Sequence, residues 1–66
     1  MSVYRVIDVI GTSADSWEDA ARSAITTAGS SLRDLRIAEV VQQDIALDDG
    51  AVTFRTKLRL SFKYED

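Results

Sequence analysis

Asp8, Asp15, Asp19, Glu39 and Asp44 carry oxygen ligands of the kind a hard divalent cation takes. Calcium wants roughly six to eight such oxygens and magnesium an octahedral set. Five acids scattered along one chain reach that number only if copies related by symmetry converge. On an alternating strand, Glu39 and Asp44 fall on opposite faces, so they are not expected to act together within one subunit. The competing expectation is solvated charge, or salt bridges to Arg55, Lys57 and Arg59. Asp48-Asp49-Gly50 lacks the ligand spacing of an EF-hand loop and reads instead as a hairpin turn.

The bases Arg55, Lys57, Arg59 and Lys63 recur at every second or fourth position and form one row on a strand. Such a row suits an anionic ligand such as a phosphate. Pairing with carboxylates across strands or subunits is the stronger expectation. Other chemistry is scarce. The chain has neither His nor Cys, which excludes zinc sites built from them and the commonest nucleophile–base pairs. Serines and threonines are present, but no base stands in a recognisable arrangement with them, so an enzyme is not expected.

These residues need elements to hold them. Residues 3–10 are rich in β-branched and aromatic side chains and predict a strand. Its two faces, Val3, Ile7 and Val9 against Tyr4, Val6 and Ile10, are both mostly apolar, which predicts cover on both sides. Gly11 to Asp15 reads as a turn. Ser16 is a good N-cap, followed by Glu18 and Asp19 where the helix dipole favours negative charge. Trp17, Ala20, Ala21, Ala24, Ile25, Ala28 and Leu32 form one helical stripe over a helix from about Trp17 to Gly29, with Ser30 and Ser31 weakening its end. Trp17 is expected to anchor the core. Residues 36–47 predict a second strand, with Ile37, Glu39, Val41, Gln43, Ile45 and Leu47 facing one way. Residues 51–64 predict a third, apolar at every even position except Thr56. The fold class is therefore α+β, with the order β-α-β-β. A three-stranded antiparallel sheet then requires the third strand in the centre.

At 66 residues the chain is one domain, 1–66. A domain so small has marginal stability and usually gains support from disulfides, metal or oligomerisation. Without Cys, one helix and three strands cover one face of the sheet, and a second copy must cover the other. A net charge of -3 with no basic cluster argues against nucleic acid. No apolar run approaches the ~20 residues of a membrane span. Met1 to Arg5 lacks signal-peptide features, so a cytoplasmic location is expected.

The chain resembles the dodecin family. The likeness lies in Tyr4-Arg5-Val6-Ile7-Asp8-Val9-Ile10-Gly11-Thr12-Ser13, in Ser16-Trp17-Glu18, in Ala38-Glu39-Val40-Val41 and in Leu60-Ser61-Phe62-Lys63-Tyr64-Glu65-Asp66. The resemblance implies a sheet wrapped around one helix, twelve subunits in a hollow shell, and binding or storage of a small ligand. Many dodecins bind stacked flavins. In those members a Trp at the start of the second strand stacks on the flavin ring, and a Gln in the third strand hydrogen-bonds its polar edge.

Here those two positions match Ile37 and Arg55. Ile37 has no π face to stack with. Arg55 donates hydrogen bonds but cannot accept them. The chain is more similar to the Trp-less branch called calcium dodecin. The resemblance thus implies a homododecameric binding or storage protein whose cofactor is calcium or another divalent cation. Binding of a flavin (FMN or riboflavin) in an altered pocket at Ile37 and Arg55 is one alternative. A structural shell without a ligand is another.

Overall fold

The computed structural model describes residues 1–29 and 35–64. Four elements follow one another: β1 (Tyr4–Ser13), α1 (Trp17–Gly29), β2 (Leu35–Asp48) and β3 (Ala51–Lys63). The sheet order is β1-β3-β2 and both pairings are antiparallel. The β-α-β-β order and the central third strand match the expectation. Ser30, Ser31, Leu32, Glu65 and Asp66 lie outside the described residues.

The first strand runs three residues further than its composition suggests. Gly11, Thr12 and Ser13 pair with Thr56, Arg55 and Phe54 instead of forming a turn. Gly11 permits this. A Cβ at that position would stand 2.0 Å from the Ala20 carbonyl oxygen and 2.9 Å from the Ala24 Cβ. The missing side chain lets α1 lie directly on β1, and the Ala-rich helix face completes the close approach. The Ser16 cap forms as expected, its Oγ accepting from the Asp19 N–H at 3.0 Å.

The core sits between α1 and one face of the sheet. Ala24, Leu58, Leu60 and Phe62 form its buried centre, flanked by Ile7, Val9, Ala21, Ala28, Leu35 and Ala38. Thr56 interrupts the apolar face of β3 and is fully buried, but its hydroxyl donates to the Trp17 carbonyl at 2.9 Å. Ile25, placed on the buried stripe by its spacing, is exposed in the single chain.

The alternation expected for β2 is broken twice. The register slips between Leu35 and Ile37 and again between Val40 and Gln42. Each bulge turns the strand over by one residue. The apolar residues explain why. Leu35, then Ala38 and Val40, then Ile45 and Leu47 change phase along the strand, and two bulges bring all of them to the face that α1 packs against. Ile37, Glu39, Gln42, Asp44 and Ala46 consequently share the outer face with Ser61, Arg59, Lys57, Arg55 and Thr53.

The β2–β3 hairpin closes at Asp49 and Gly50, both with positive φ, 48° and 81°. That is the pattern of a two-residue turn matched to strand twist. A 13-residue helix spans about 20 Å, whereas strands of this length span about 45 Å. The end of the hairpin therefore projects beyond the helix, leaving Ile45, Leu47 and Val52 exposed on an arm.

Candidate functional site

The outer face of the sheet gathers the charged residues into rows. β3 supplies Arg55, Lys57 and Arg59 at alternate positions. β1 sets Thr12, Ile10 and Asp8 opposite them, and β2 sets Asp44, Gln42 and Glu39 on the other side. Arg59 thus lies between two acids, Arg55 beside one, and Lys57 between an isoleucine and an amide.

Two of the three cations are held by forks. Arg55 donates from Nε to Asp44 Oδ1 at 2.7 Å and from Nη2 to Oδ2 at 3.0 Å. Arg59 donates from Nε to Asp8 Oδ1 at 3.0 Å and from Nη2 to Oδ2 at 3.2 Å. Both pairs are bidentate, the geometry that gives arginine–carboxylate bonds their directionality. The hydrogen bond from Arg55 lowers the Asp44 pKa, against a smaller opposing effect of desolvation. The hydrogen bond from Arg59 lowers that of Asp8 in the same way, with Lys57 adding weakly. The forks in turn raise Arg55 and Arg59, and Glu39 contributes a small further rise at Arg59.

Trp17 supports this corner of the sheet from the helix side. Its Nε1–H donates to the Asp44 carbonyl at 3.0 Å, and its ring meets Phe54 edge-on at 5.2 Å. It is half-buried, so it ties the start of α1 to β2 and β3 at the margin of the core instead of anchoring the centre. Across the sheet from it, on the outer face, lies a depression of about 230 Å³ lined by Ile10, Gln42, Asp44, Arg55 and Lys57. A larger groove of about 490 Å³ runs between β1 and α1, lined by uncharged residues including Gly11, Thr12, Ser23 and Thr27.

The remaining sequence candidates are dispersed. Asp19 accepts from the Ser13 hydroxyl at 2.8 Å, and the same Oγ accepts from the Asp15 N–H at 2.9 Å. Both acids therefore belong to the entry to α1, away from the rows. Glu39 and Asp44 share one face, contrary to the expectation from strict alternation, because the bulge after Val40 lies between them. Among the described residues no three acids converge closely enough to hold an ion. Ile37 stands opposite Ser61, and Arg55 is six residues along the same strand, about 20 Å away at strand rise. Within one chain these two positions do not share a pocket. Lys57 lies in the row with Arg55 that the alternation of β3 predicts, whereas Gln42 joins them only through the bulge after Val40, which leaves no mark in a strict period of two.

The sequence profile of the dodecin family matches residues 3–65. The chain belongs to the dodecin family. It is 55% identical over 64 residues to the calcium dodecin of Mycobacterium tuberculosis (strain ATCC 25618 / H37Rv), covering 96% of this chain and 90% of that one. The crystal structure of calcium dodecin from Mycobacterium tuberculosis, described as a calcium-chelating immunodominant antigen with a novel calcium-binding site, superposes with a TM-score of 0.89 at 52% identity, covering 97% of this chain and 93% of that one. The dodecin of Streptomyces coelicolor superposes with a TM-score of 0.90 at 39% identity, covering 98% and 94%. The dodecin fold here is the β-α-β-β arrangement described above. Among the described residues, no helix of this dodecin is long and apolar enough to cross a membrane.

Proposed function

We propose that this dodecin works as a closed homododecamer that binds and stores a small ligand at contacts between copies, with calcium or another divalent cation as the ligand. One observation carries the reading. Val6, Ile10, Ile37, Val41, Leu47 and Val52 are exposed in the single chain, more large apolar side chains than its buried centre contains. Isolated surface apolar residues are ordinary, but apolar sets on both the outer face and the hairpin arm point to association. Self-association also supplies the second cover that both faces of β1 require.

The cation reading draws on likeness to the calcium dodecin of Mycobacterium tuberculosis. Calcium needs about six to eight oxygens, so Asp8, Asp15, Asp19, Glu39 and Asp44 would serve only in combination across copies. Of these, Asp8 and Asp44 are already engaged by arginine forks. Glu39 and Asp15 are the acids freest to turn toward an ion in a neighbouring copy. Flavin at Ile37 and Arg55 would likewise need two copies, one giving each residue.

Equilibrium dialysis of chelator-stripped protein against calcium tests the reading. Saturable uptake at or below millimolar calcium, lost in Glu39→Gln, is expected. No uptake at millimolar calcium would reject the cation, and uptake of FMN in its place would favour the altered flavin pocket.

A further inference from the structure

We infer that Asp49-Gly50, at the closed end of the β2–β3 hairpin, is a site of covalent self-modification, where the backbone rearranges through a cyclic imide to an isoaspartyl linkage. The pair Asp-Gly occurs once in the chain. The rearrangement needs a side-chain carboxyl to meet the backbone nitrogen of the next residue, with little crowding around that nitrogen. Glycine, which has no Cβ, crowds it least.

The turn supplies the remaining conditions. Asp48 pairs with Ala51, which closes the ladder and leaves Asp49 and Gly50 outside it. Among the described residues, the backbone hydrogen bonds outside helix and ladder are donated by Ala20 and Tyr64, so the Gly50 N–H is not spent on one. Asp49 is exposed, and among the described residues no hydrogen bond or ion pair holds its carboxyl. A Cβ placed on Gly50 would meet nothing within 4 Å, so there is room for a ring.

The other acids are held back. The amide after Asp15, that of Ser16, donates to the Ser13 Oγ at 3.4 Å. The amide after Asp19, that of Ala20, donates to the Ser16 carbonyl at 3.0 Å, and the Asp19 carboxyl accepts from Ser13. Asp8 and Asp44 are forked to arginines.

In the first step the Gly50 nitrogen attacks Asp49 Cγ. The N–Cγ bond forms, the Cγ–OH bond breaks, and the amide proton leaves with the hydroxyl as water. The neutral acid loses that oxygen more readily than the carboxylate, so mildly acidic solution favours closure. Water then opens the five-membered imide. Opening at Cγ restores Asp49. Opening at the original backbone carbonyl routes the chain through Cβ and Cγ and frees the α-carboxylate. Water is the only other reactant, released once and consumed once. The product puts one extra methylene into a two-residue turn whose positive φ values match the strand twist. Leu47 and Val52, the pair next to Asp48 and Ala51, are then displaced on the arm. An altered chain fits a neighbouring copy less well; this consequence rests on the proposed assembly, whereas the chemistry does not.

The test ages the assembled protein for weeks in warm, mildly acidic buffer. Digestion and electron-transfer mass spectrometry then distinguish isoaspartyl from ordinary linkages. Isoaspartate growing with time at residue 49 is expected, with a transient loss of one water from the same peptide and ordinary linkages kept at Asp15 and Asp19. Gly50→Ala should slow the rearrangement at least tenfold. Asp49→Asn suits the same turn. It forms the same ring by losing ammonia, so it should react faster and gain one mass unit. It serves if Gly50→Ala, strained by a φ of 81°, fails to fold. An unaltered linkage at residue 49, equal accumulation at Asp15, or reaction confined to protein unfolded in urea would overturn the inference. Native mass spectrometry of the aged sample should find isoaspartyl chains depleted from the assembly, and their even retention would overturn the effect on the arm. Because the linkage is read on peptides whatever the assembly, the two readings fail separately.

Discussion

Glu39 and Asp44 point from the same face of β2, although five positions separate them, because the bulge after Val40 turns the strand over between them. That one slip composes the outer face. It sets Asp44 across from Arg55 and Glu39 across from Arg59, with Gln42 beside the cation left between them. It also returns Ile45 and Leu47 to the face that α1 packs against. Charge rows outside and apolar continuity inside come from a single irregularity.

The arginine forks make stability depend on acid in a definite direction. Asp8 and Asp44 both titrate below their ordinary value of 3.8 in the folded chain, each held there chiefly by its arginine hydrogen bond. A carboxyl with a depressed folded pKa contributes stability above the unfolded value and loses it as pH falls through the folded one. Urea midpoints should therefore be flat from neutrality to about pH 5 and decline below pH 4. In the double variant Asp8→Asn, Asp44→Asn that decline should be shallower. An identical acid slope in wild type and variant would show that the forks do not cause it.

Gly11→Ala tests the close approach of helix and sheet. The added Cβ meets the Ala20 carbonyl, a backbone atom that cannot step aside without moving α1. Overpacking of this kind costs about 3 kcal/mol. Denaturant unfolding of the variant should show a loss of that size with the slope unchanged.

Leu60→Ala probes the centre of the core, where the side chain is fully buried. A loss of about 2–5 kcal/mol is expected from lost burial and the cavity left behind. Leu47→Ala, on the exposed arm, should cost the isolated fold little yet lower the concentration stability of the assembly. Unfolding at two protein concentrations distinguishes the two effects.

Trp17→Phe removes the indole N–H while keeping a ring against Phe54. The Asp44 carbonyl then loses its donor, at a cost of about 1 kcal/mol. Thermal unfolding checks the magnitude.

Much of the fold was legible because local signals agreed with one another. The alternation of β3 fixed the core face, Ser16 fixed the helix start, and Asp49-Gly50 fixed the hairpin. Gly11-Thr12-Ser13 has the composition of a turn, and only the packing of Ala20 and Ala24 against Gly11 explains why β1 continues through it as strand. The site was less legible. Two bulges in β2 obey tertiary packing, and their only trace in sequence is the change of phase from Leu35 to Ala38 and from Val40 to Ile45. Trp17 has the size of a core residue, but its indole N–H needs an acceptor, and the Asp44 carbonyl at the core margin provides one.

Native mass spectrometry of the purified protein, with calcium, with chelator and with FMN, tests the proposed assembly and its ligand most directly. A species of twelve chains is expected, carrying extra mass that chelator removes and FMN does not supply. A monomer or dimer in calcium-containing solution would contradict it, because the exposed apolar faces would then lack the cover on which the proposal depends.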